Sequence, residues 1–540
     1  MSGALATPKG RARAAAGNAV ARPVSAVARA ADPRLARYEA LVDAGERRAL
    51  DRQHAKGKRT ARERIGLLVD PGTFQETNRL MGADAEAGAP GCAVVTGLGR
   101  VSGRTVAVYA QDFSVRGGTL GTAEGHKIVR LIEQAVRIGV PVVAIVDSGG
   151  ARIQEGVAAL AQYGRIFHAT CHASGRVPQI SLVLGPCAGG AVYCPALTDL
   201  IVMTRDNSNM FVTGPEVVRE ATGEDIGRDD LGGGLVHGSV SGVAHYLADD
   251  EEDAIDYVRT VLGYLPSCAD EEPPVYEYRA VSSEKGPDEA LAAIMPERDR
   301  EPYDMRDVIG RIVDYGEFVQ VHGLYAPSAL VGFACIQGRP VGVVANQPAV
   351  ASGVLDVDSS EKIARFVRLC DAFNLPVITL VDTPGYRPGS DQEHAGIIRR
   401  GATMIYAYAQ ARVPLVTVVL RKAFGGAYIV MGSRSLGADA VFTWPTARIA
   451  VLGARAAVGI IHHRDLAAAR ERGEDVEALR SRLALDYDGR VLNADLALRT
   501  GQIDAMIDPA RTRETIVTAL ASLSGKRRGE PPRHHGNPPF

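Results

Sequence analysis

The sequence predicts an α/β protein built twice over, with two domains that each contain a mixed or parallel sheet and helical crossovers. Three observations predict it. Buried apolar runs of strand length end repeatedly in a glycine-rich bend followed by a segment of helical spacing, the alternation that crossover-connected sheets require. The order of these runs recurs within the chain at a nearly constant offset. A proline- and acid-rich stretch separates the two copies.

At 540 residues and 46% hydrophobic, the chain can bury a large core, and its length suggests two or more domains. Its 61 basic and 63 acidic residues leave a formal charge of -2, so no global field points to nucleic acid or an anionic membrane. Seven scattered cysteines without paired metal spacing fit a reducing interior, and the cytoplasm is the expected compartment. No run of about twenty apolar residues free of charge offers a membrane span.

Taken in order, residues 1–32 form a basic, alanine-rich leader without an apolar segment of signal length, expected to be disordered. Residues 33–68 are charged and helical in character. Their basic run from Gln53 to Arg64 suits either a solvated helix or the receipt of a phosphate-bearing ligand. Leu68–Glu76 reads as a helix stop and turn, and 92–100 with 104–110 as a strand hairpin. A helix over 124–138, a buried strand over 140–146, a further helix and a strand over 179–184 lead to Gly189 and Gly190. The acidic helix 249–265 and the Pro/Glu-rich stretch 266–300 place a boundary near residue 280. Residues 464–489 suggest an amphipathic arm or subunit contact, and the tail from Lys526 is basic.

The repeat is visible in the numbering. Val142 and Asp147 correspond to Val377 and Asp382, and Lys127 to Lys362, each 235 positions apart, while Gly190 and Gly426 stand 236 apart. Upstream, Val69-Asp70 and Phe74 correspond to Val313-Asp314 and Phe318 at 244. Order is kept while gaps change by a few residues, as expected of an internal duplication.

The chemistry concentrates at the duplicated glycine pairs, Gly189-Gly190 and Gly425-Gly426. A glycine pair between a buried strand and a helix lets backbone approach a ligand and aims free N–H groups at an oxygen that becomes negative. Two such pockets suit a reaction between two carbonyl compounds that each pass through an enolate-like state. A nucleophilic hydrolase needs a serine elbow, and neither bend has one. His462-His463 are adjacent and diverge on a helix, so they make no metal motif, and no metal is expected. Cys187 and Cys194 read as small buried residues, and Leu231–Leu235, without a lysine or hydroxyl, as a flexible bend. Arg152 suits an anionic ligand or an ion pair, Asp382 a cap on the next turn, and Ile429 a pocket wall or a core position.

Asp147–Gly156, Gly185–Tyr193, Phe211–Pro215, Asp391–Glu393 and Arg421–Tyr428 closely resemble the carboxyltransferase beta subunit of biotin-dependent acyl-CoA carboxylases, especially the propionyl-CoA and acetyl-CoA types. The resemblance runs from about residue 33 onward. It implies tandem crotonase-like (ClpP/crotonase) spiral domains, 33–280 on the acyl-CoA side and 281–540 on the biotin side, in a ring-shaped homo-hexamer whose active sites join domains of two subunits. By motif, Gly189 and Gly190 would stabilise the thioester enolate oxygen, with Ala151, Arg152, Ala188 and Tyr193 on the substrate. Phe424, Gly425 and Gly426 would hold the ureido oxygen of biotin, beside Ala427 and Ile429. No side-chain base is required, since the decarboxylated biotin itself would remove the α proton. Biotin would arrive as carboxybiotin on another protein, because the chain has no Ala-Met-Lys-Met sequence; a biotin carboxylase and a biotin carboxyl carrier protein, or a fused alpha subunit, are the implied partners. The propionyl-CoA type usually carries aspartate where Ile429 stands, which favours acetyl-CoA use together with propionyl-CoA. A biotin-dependent decarboxylase, a methylcrotonyl-CoA carboxylase subunit and an idle scaffold are the alternatives.

Overall fold

The computed structural model describes residues 32–281, 284, 286–298, 301–491 and 494–526. The leader up to residue 31 and the basic tail from residue 527 lie outside the described residues. The chain divides into two compact units, Met1–Glu272 and Pro273–Phe540.

In the first unit, α1 (Pro33–His54) starts behind Asp32, which accepts the Arg34 N–H, with proline as its first residue. A reciprocal capping box between Thr60 and Glu63 starts α2 (Ala61–Leu68). The sheet then forms from β1 (Gln75–Thr77), β2 (Val94–Val101) and β3 (Arg104–Gln111), all antiparallel. Helix α3 (Thr122–Ile138) crosses to β4 (Val142–Ser148), and α4 (Val157–Ala173) crosses to β5 (Gln179–Ala188). Beyond lie β6 (Leu200–Thr204), β7 (Asn209–Phe211), β8 (Tyr246–Ala248) and the closing helix α5 (Glu251–Tyr264). Pairing follows β1-β2-β3-β4-β5-β6-β8, parallel from β3 onward, and the short β7 attaches to the end of β5. Every residue of β4 is buried, which is why it reads as a continuous apolar run without alternation.

The second unit repeats the plan. It consists of α6 (Met305–Ile312), β9 (Val319–Val321), β10 (Ala329–Ile336), β11 (Arg339–Asn346), α7 (Val357–Ala372), β12 (Val377–Thr383), α8 (Ile397–Gln410), β13 (Leu415–Phe424), α9 (Gly425–Val430), β14 (Ala440–Thr443), β15 (Arg448–Ala450), β16 (Ala505–Met506) and α10 (Thr512–Ser522). The path β9-β10-β11-β12-β13-β14-β16, with β15 on β13, is that of the first unit. The chain therefore has the duplicated crotonase-like architecture. The segment expected as a helical arm forms helices His463–Glu471 and Val476–Val491 around a small apolar cluster of Val458, Leu466 and Ala484.

Side chains repeat as closely as strands. Asp70 accepts the N–H groups of Ser102 and Gly103 at the first hairpin turn, and Asp314 those of Gln337 and Gly338 at the second. Phe74 and Phe318 lie where Gly97 and Gly332 would carry Cβ atoms, 2.6 Å from the ring in each case, so both hairpins need glycine. Lys127 and Lys362 are buried donors to the carbonyls of Val94 and Ala329, the first residues of β2 and β10. One expectation is corrected here: Leu231–Leu235 is no flexible bend. It forms parts of two short helices, and Cβ atoms at Gly232 and Gly234 would lie 2.0 Å from Met210 O and 2.4 Å from Thr204 O. Close packing selects those glycines.

Candidate active site

Both glycine turns grow out of the same irregularity. β4 and β5 pair in register from Val142↔Gln179 to Val146↔Val183, then the register shifts and Ser148 pairs with Cys187. β12 and β13 do the same, from Val381↔Val419 to Thr383↔Ala423. The bulge bends the longer strand and aims its end past the sheet. Ala188 and Phe424 are still extended, at φ -127° and -111°, but Gly189 and Gly425 turn left-handed at φ 65° and 59°. A side chain there would be strained, which is the physical reason for glycine.

Each turn then opens a helical segment, whose first N–H groups have no acceptor within the helix. Among the described residues, the N–H groups of Gly189, Gly190, Gly425 and Gly426 donate no turn, loop or cap hydrogen bond. Each unit thus offers a glycine pair whose N–H groups are not taken up by turn, loop or cap bonds, the arrangement suited to an oxygen that gains negative charge.

The loop after β4 completes the first site. Leu120 and Ala151 form a parallel bridge, and a Cβ on Gly150 would lie 2.8 Å from Ala188 O, so the residue before Ala151 packs against the end of β5. Half-exposed Tyr193 packs edge-on against Phe167 with ring centroids 6.1 Å apart. The position of a Gly190 Cβ lies 3.5 Å from the ring of Tyr163. In the second unit the bridge joins Leu355 and Tyr386, so Tyr386 occupies the place of Ala151, and its ring lies 3.9 Å from where a Gly426 Cβ would be. Sequence reasoning missed Tyr386 and Tyr163. The first was within reach, because Tyr386 follows Ala151 at the repeat offset of 235.

Three expected residues stand differently. The guanidinium of Arg152 turns inward, 2.6 Å from Glu124 and 2.8 Å from Glu155, and is buried, so the ion pair is the reading the structure supports. Ala427 is wholly buried and forms no wall of an open pocket. Asp382 does not cap the next turn; it pairs with Arg421 at 2.9 Å and accepts the Lys422 N–H. Ile429, by contrast, is 47% exposed, one helical turn after Gly426, and is no core residue.

Among the described residues, the tyrosines and cysteines beside the two turns are not tuned as bases. Burial pushes the Tyr386 hydroxyl up to about 12 and raises that of Tyr163 further. Burial likewise holds the Cys194 thiol up at about 12 and raises Cys187, so neither supplies a thiolate near neutral pH. His462 is engaged by Asp465 at 2.8 Å.

A family model for the carboxyl transferase domain matches residues 52–538. The chain belongs to the carboxyltransferase family. This carboxyltransferase is 54% identical over 519 residues to the propionyl-CoA carboxylase beta chain of Saccharopolyspora erythraea, covering 93% of this chain and 94% of that protein. It is 48% identical over 515 residues to the biotin-dependent acetyl-/propionyl-coenzyme A carboxylase beta5 subunit of Mycobacterium tuberculosis, covering 93% and 94%. It superimposes on a transcarboxylase 12S crystal structure, a hexamer with methylmalonyl-coenzyme A bound, with a TM-score of 0.88 at 44% identity over 94% of this chain and 97% of that one. It is an enzyme that transfers a carboxyl group between carboxybiotin and an acyl-CoA. Among the described residues no helix is long and apolar enough to cross a membrane.

Proposed function

We propose that this carboxyltransferase carboxylates the α carbon of acetyl-CoA and propionyl-CoA, binding the thioester at the Gly189-Gly190 turn and the ureido oxygen of biotin at the Gly425-Gly426 turn. The observation that carries this reading is the presence of two strand-end turns, each with a pair of N–H groups that make no turn, loop or cap hydrogen bond among the described residues. The second turn fits a flat bicyclic ring: it has no Cβ of its own, Tyr386 on one side, and exposed Ile429 and Val451 nearby. When bound, biotin carried by a partner protein supplies the carboxyl group. The chain's residues contribute orientation and donors. Gly189 and Gly190 hold the thioester oxygen as it takes on enolate character, which acidifies the adjacent carbon without a side-chain base. The raised hydroxyls and thiols agree with that division of labour.

Ile429 narrows the choice of acyl group. An apolar side chain there tolerates a short acyl chain without a charge to desolvate. Reconstitution with a biotin carboxylase and carboxylated carrier, followed by steady-state kinetics on acetyl-, propionyl- and butyryl-CoA, is expected to show turnover of the first two. Ile429→Asp is expected to lower kcat/KM for acetyl-CoA about tenfold. Negligible turnover of acetyl-CoA by the unaltered chain would sink the assignment.

The biotin carboxylase and biotin carrier stand outside this chain, as separate proteins or as a fused alpha subunit. A second copy is also part of the reading. Ile153, Val157 and Leu160 beside the first turn, and Ile398 and Ile405 on α8 of the second unit, are exposed large apolar side chains that a monomer would leave in water. The transcarboxylase 12S relative is a hexamer. We assign these faces to contacts between copies, with acyl-CoA on one subunit meeting biotin on another. Light scattering is expected to give six times the chain mass, and a monomeric, fully active enzyme would overturn the arrangement.

A further inference from the structure

The two units neutralise the same buried carboxylate with an arginine drawn from different places. Asp147 and Asp382 stand at equivalent positions near the ends of β4 and β12, both 0% exposed. In the second unit the strand itself supplies both partners: Arg421 Nε lies 2.9 Å from Asp382 Oδ2, and the Lys422 N–H donates to Oδ1 at 3.1 Å. The pairings Ser148↔Cys187 and Thr383↔Ala423 make Gly185 the counterpart of Arg421 and Pro186 that of Lys422. Glycine has no guanidinium and proline no N–H. Asp147 Oδ1 accordingly has no hydrogen-bond partner.

The first unit meets the charge from outside the strand. Arg64 on α2 donates from Nη1 to Asp147 Oδ2 at 2.8 Å, from Nη2 to the Leu184 carbonyl at 2.8 Å, and to Glu251. The repeat offset of 244 makes Val308 on α6 the counterpart of Arg64, and Val308 is wholly buried. Arg64 with Gly185 in one half, and Val308 with Arg421 in the other, form a reciprocal exchange.

We propose that Arg64 is the positioning residue of the acyl-side turn, performing from α2 the task that Arg421 performs from within β13: it fixes the carboxylate against which β5 bends to present Gly189 and Gly190. This rests on the acyl-side role proposed above for those glycines. The coupling is steric as well as electrostatic, because a Cβ at Gly185 would lie 2.2 Å from Asp147 Oδ1. The carboxylate's orientation and the path of β5 just before the turn are therefore set together. Donors that act on a developing charge lose their value quickly when misaimed, so a loosened Asp147 lowers kcat more than it raises KM.

The test uses the reconstituted holoenzyme. Carboxylation by the unaltered chain checks the functional reading, and its absence would count against that reading rather than against Arg64. Arg64→Lys keeps the charge but loses the planar fork. It is expected to lower kcat about 10–100-fold, leave KM for acyl-CoA within about threefold, and leave decarboxylation of the carboxylated carrier without acyl-CoA unchanged. Asp147→Asn keeps the shape of the partner and removes its charge, and is expected to lower kcat by a similar factor with KM for acyl-CoA again within about threefold. Arg64→Lys combined with Asp147→Asn is expected to lose no more than about threefold beyond the worse single variant, because both changes act on one contact. Wild-type kcat in Arg64→Lys, equal loss of both reactions, or losses that multiply in the double variant would each overturn the proposal.

Discussion

Gly426→Pro is expected to lower carboxylation turnover about 10²–10³-fold, the effect of deleting one oxyanion donor, worth roughly 2.7–4 kcal/mol in the transition state. The substitution removes the N–H, and its ring also restricts Gly425, which holds φ 59°. Gly426 is the second residue of α9, where proline is tolerated because the first-turn N–H groups have no helical acceptor. A Cβ at this position meets only the Tyr386 ring at 3.9 Å, an ordinary contact. Gly426→Ala keeps the N–H and adds the same Cβ, so it is expected to retain turnover within about threefold. The pair of variants separates crowding from donor loss. Equal activity of the proline variant and the unaltered enzyme, at equal hexamer content, would remove the oxyanion role from this turn.

The largest loss of stability is expected at Lys362. Its ammonium donates to four carbonyls, those of His322, Tyr325, Ala326 and Ala329, at 2.9, 2.8, 3.2 and 2.7 Å, and the residue is 1% exposed. His322 and Ala326 have φ of 54° and 44°, conformations that non-glycine residues adopt only when their surroundings hold them. Burial pulls the lysine down to about 7, while the carbonyl oxygens favour the charged form. Lys362→Met fills similar volume and strands the carbonyls, at about 3–5 kcal/mol. Lys127→Met, which releases the single carbonyl of Val94, is expected to lose about 1–3 kcal/mol. Denaturant titration of both variants checks the ranking; a Lys362→Met midpoint no lower than that of Lys127→Met would contradict the hub.

The duplicated plan was legible because its signals are local and periodic. Val142–Val146 and Val377–Val381 are apolar runs of strand length, and the glycine pairs mark where each longer strand must turn. Gly189 and Gly425 could be named from sequence because a left-handed turn leaves few other choices. Partnerships across long separations were not legible. Arg152 carries the same chemistry whether it faces a ligand or Glu124, and only the fold brings the carboxylates within 3 Å. Asp382 looked like a local cap because its partner, Arg421, lies on the neighbouring strand. Ala427 sits one residue beyond Gly426, yet the helical turn rotates its methyl into the core.

The apolar cores have a thermodynamic consequence. Of the two large clusters among the described residues, one draws all its members from 92–268 and the other from 291–523, and no residue belongs to both. Each half therefore has an apolar reason of its own to fold, and the loss expected at Lys362 falls within the second unit. The ratio of the calorimetric to the van't Hoff enthalpy reads how far two such cores melt as one.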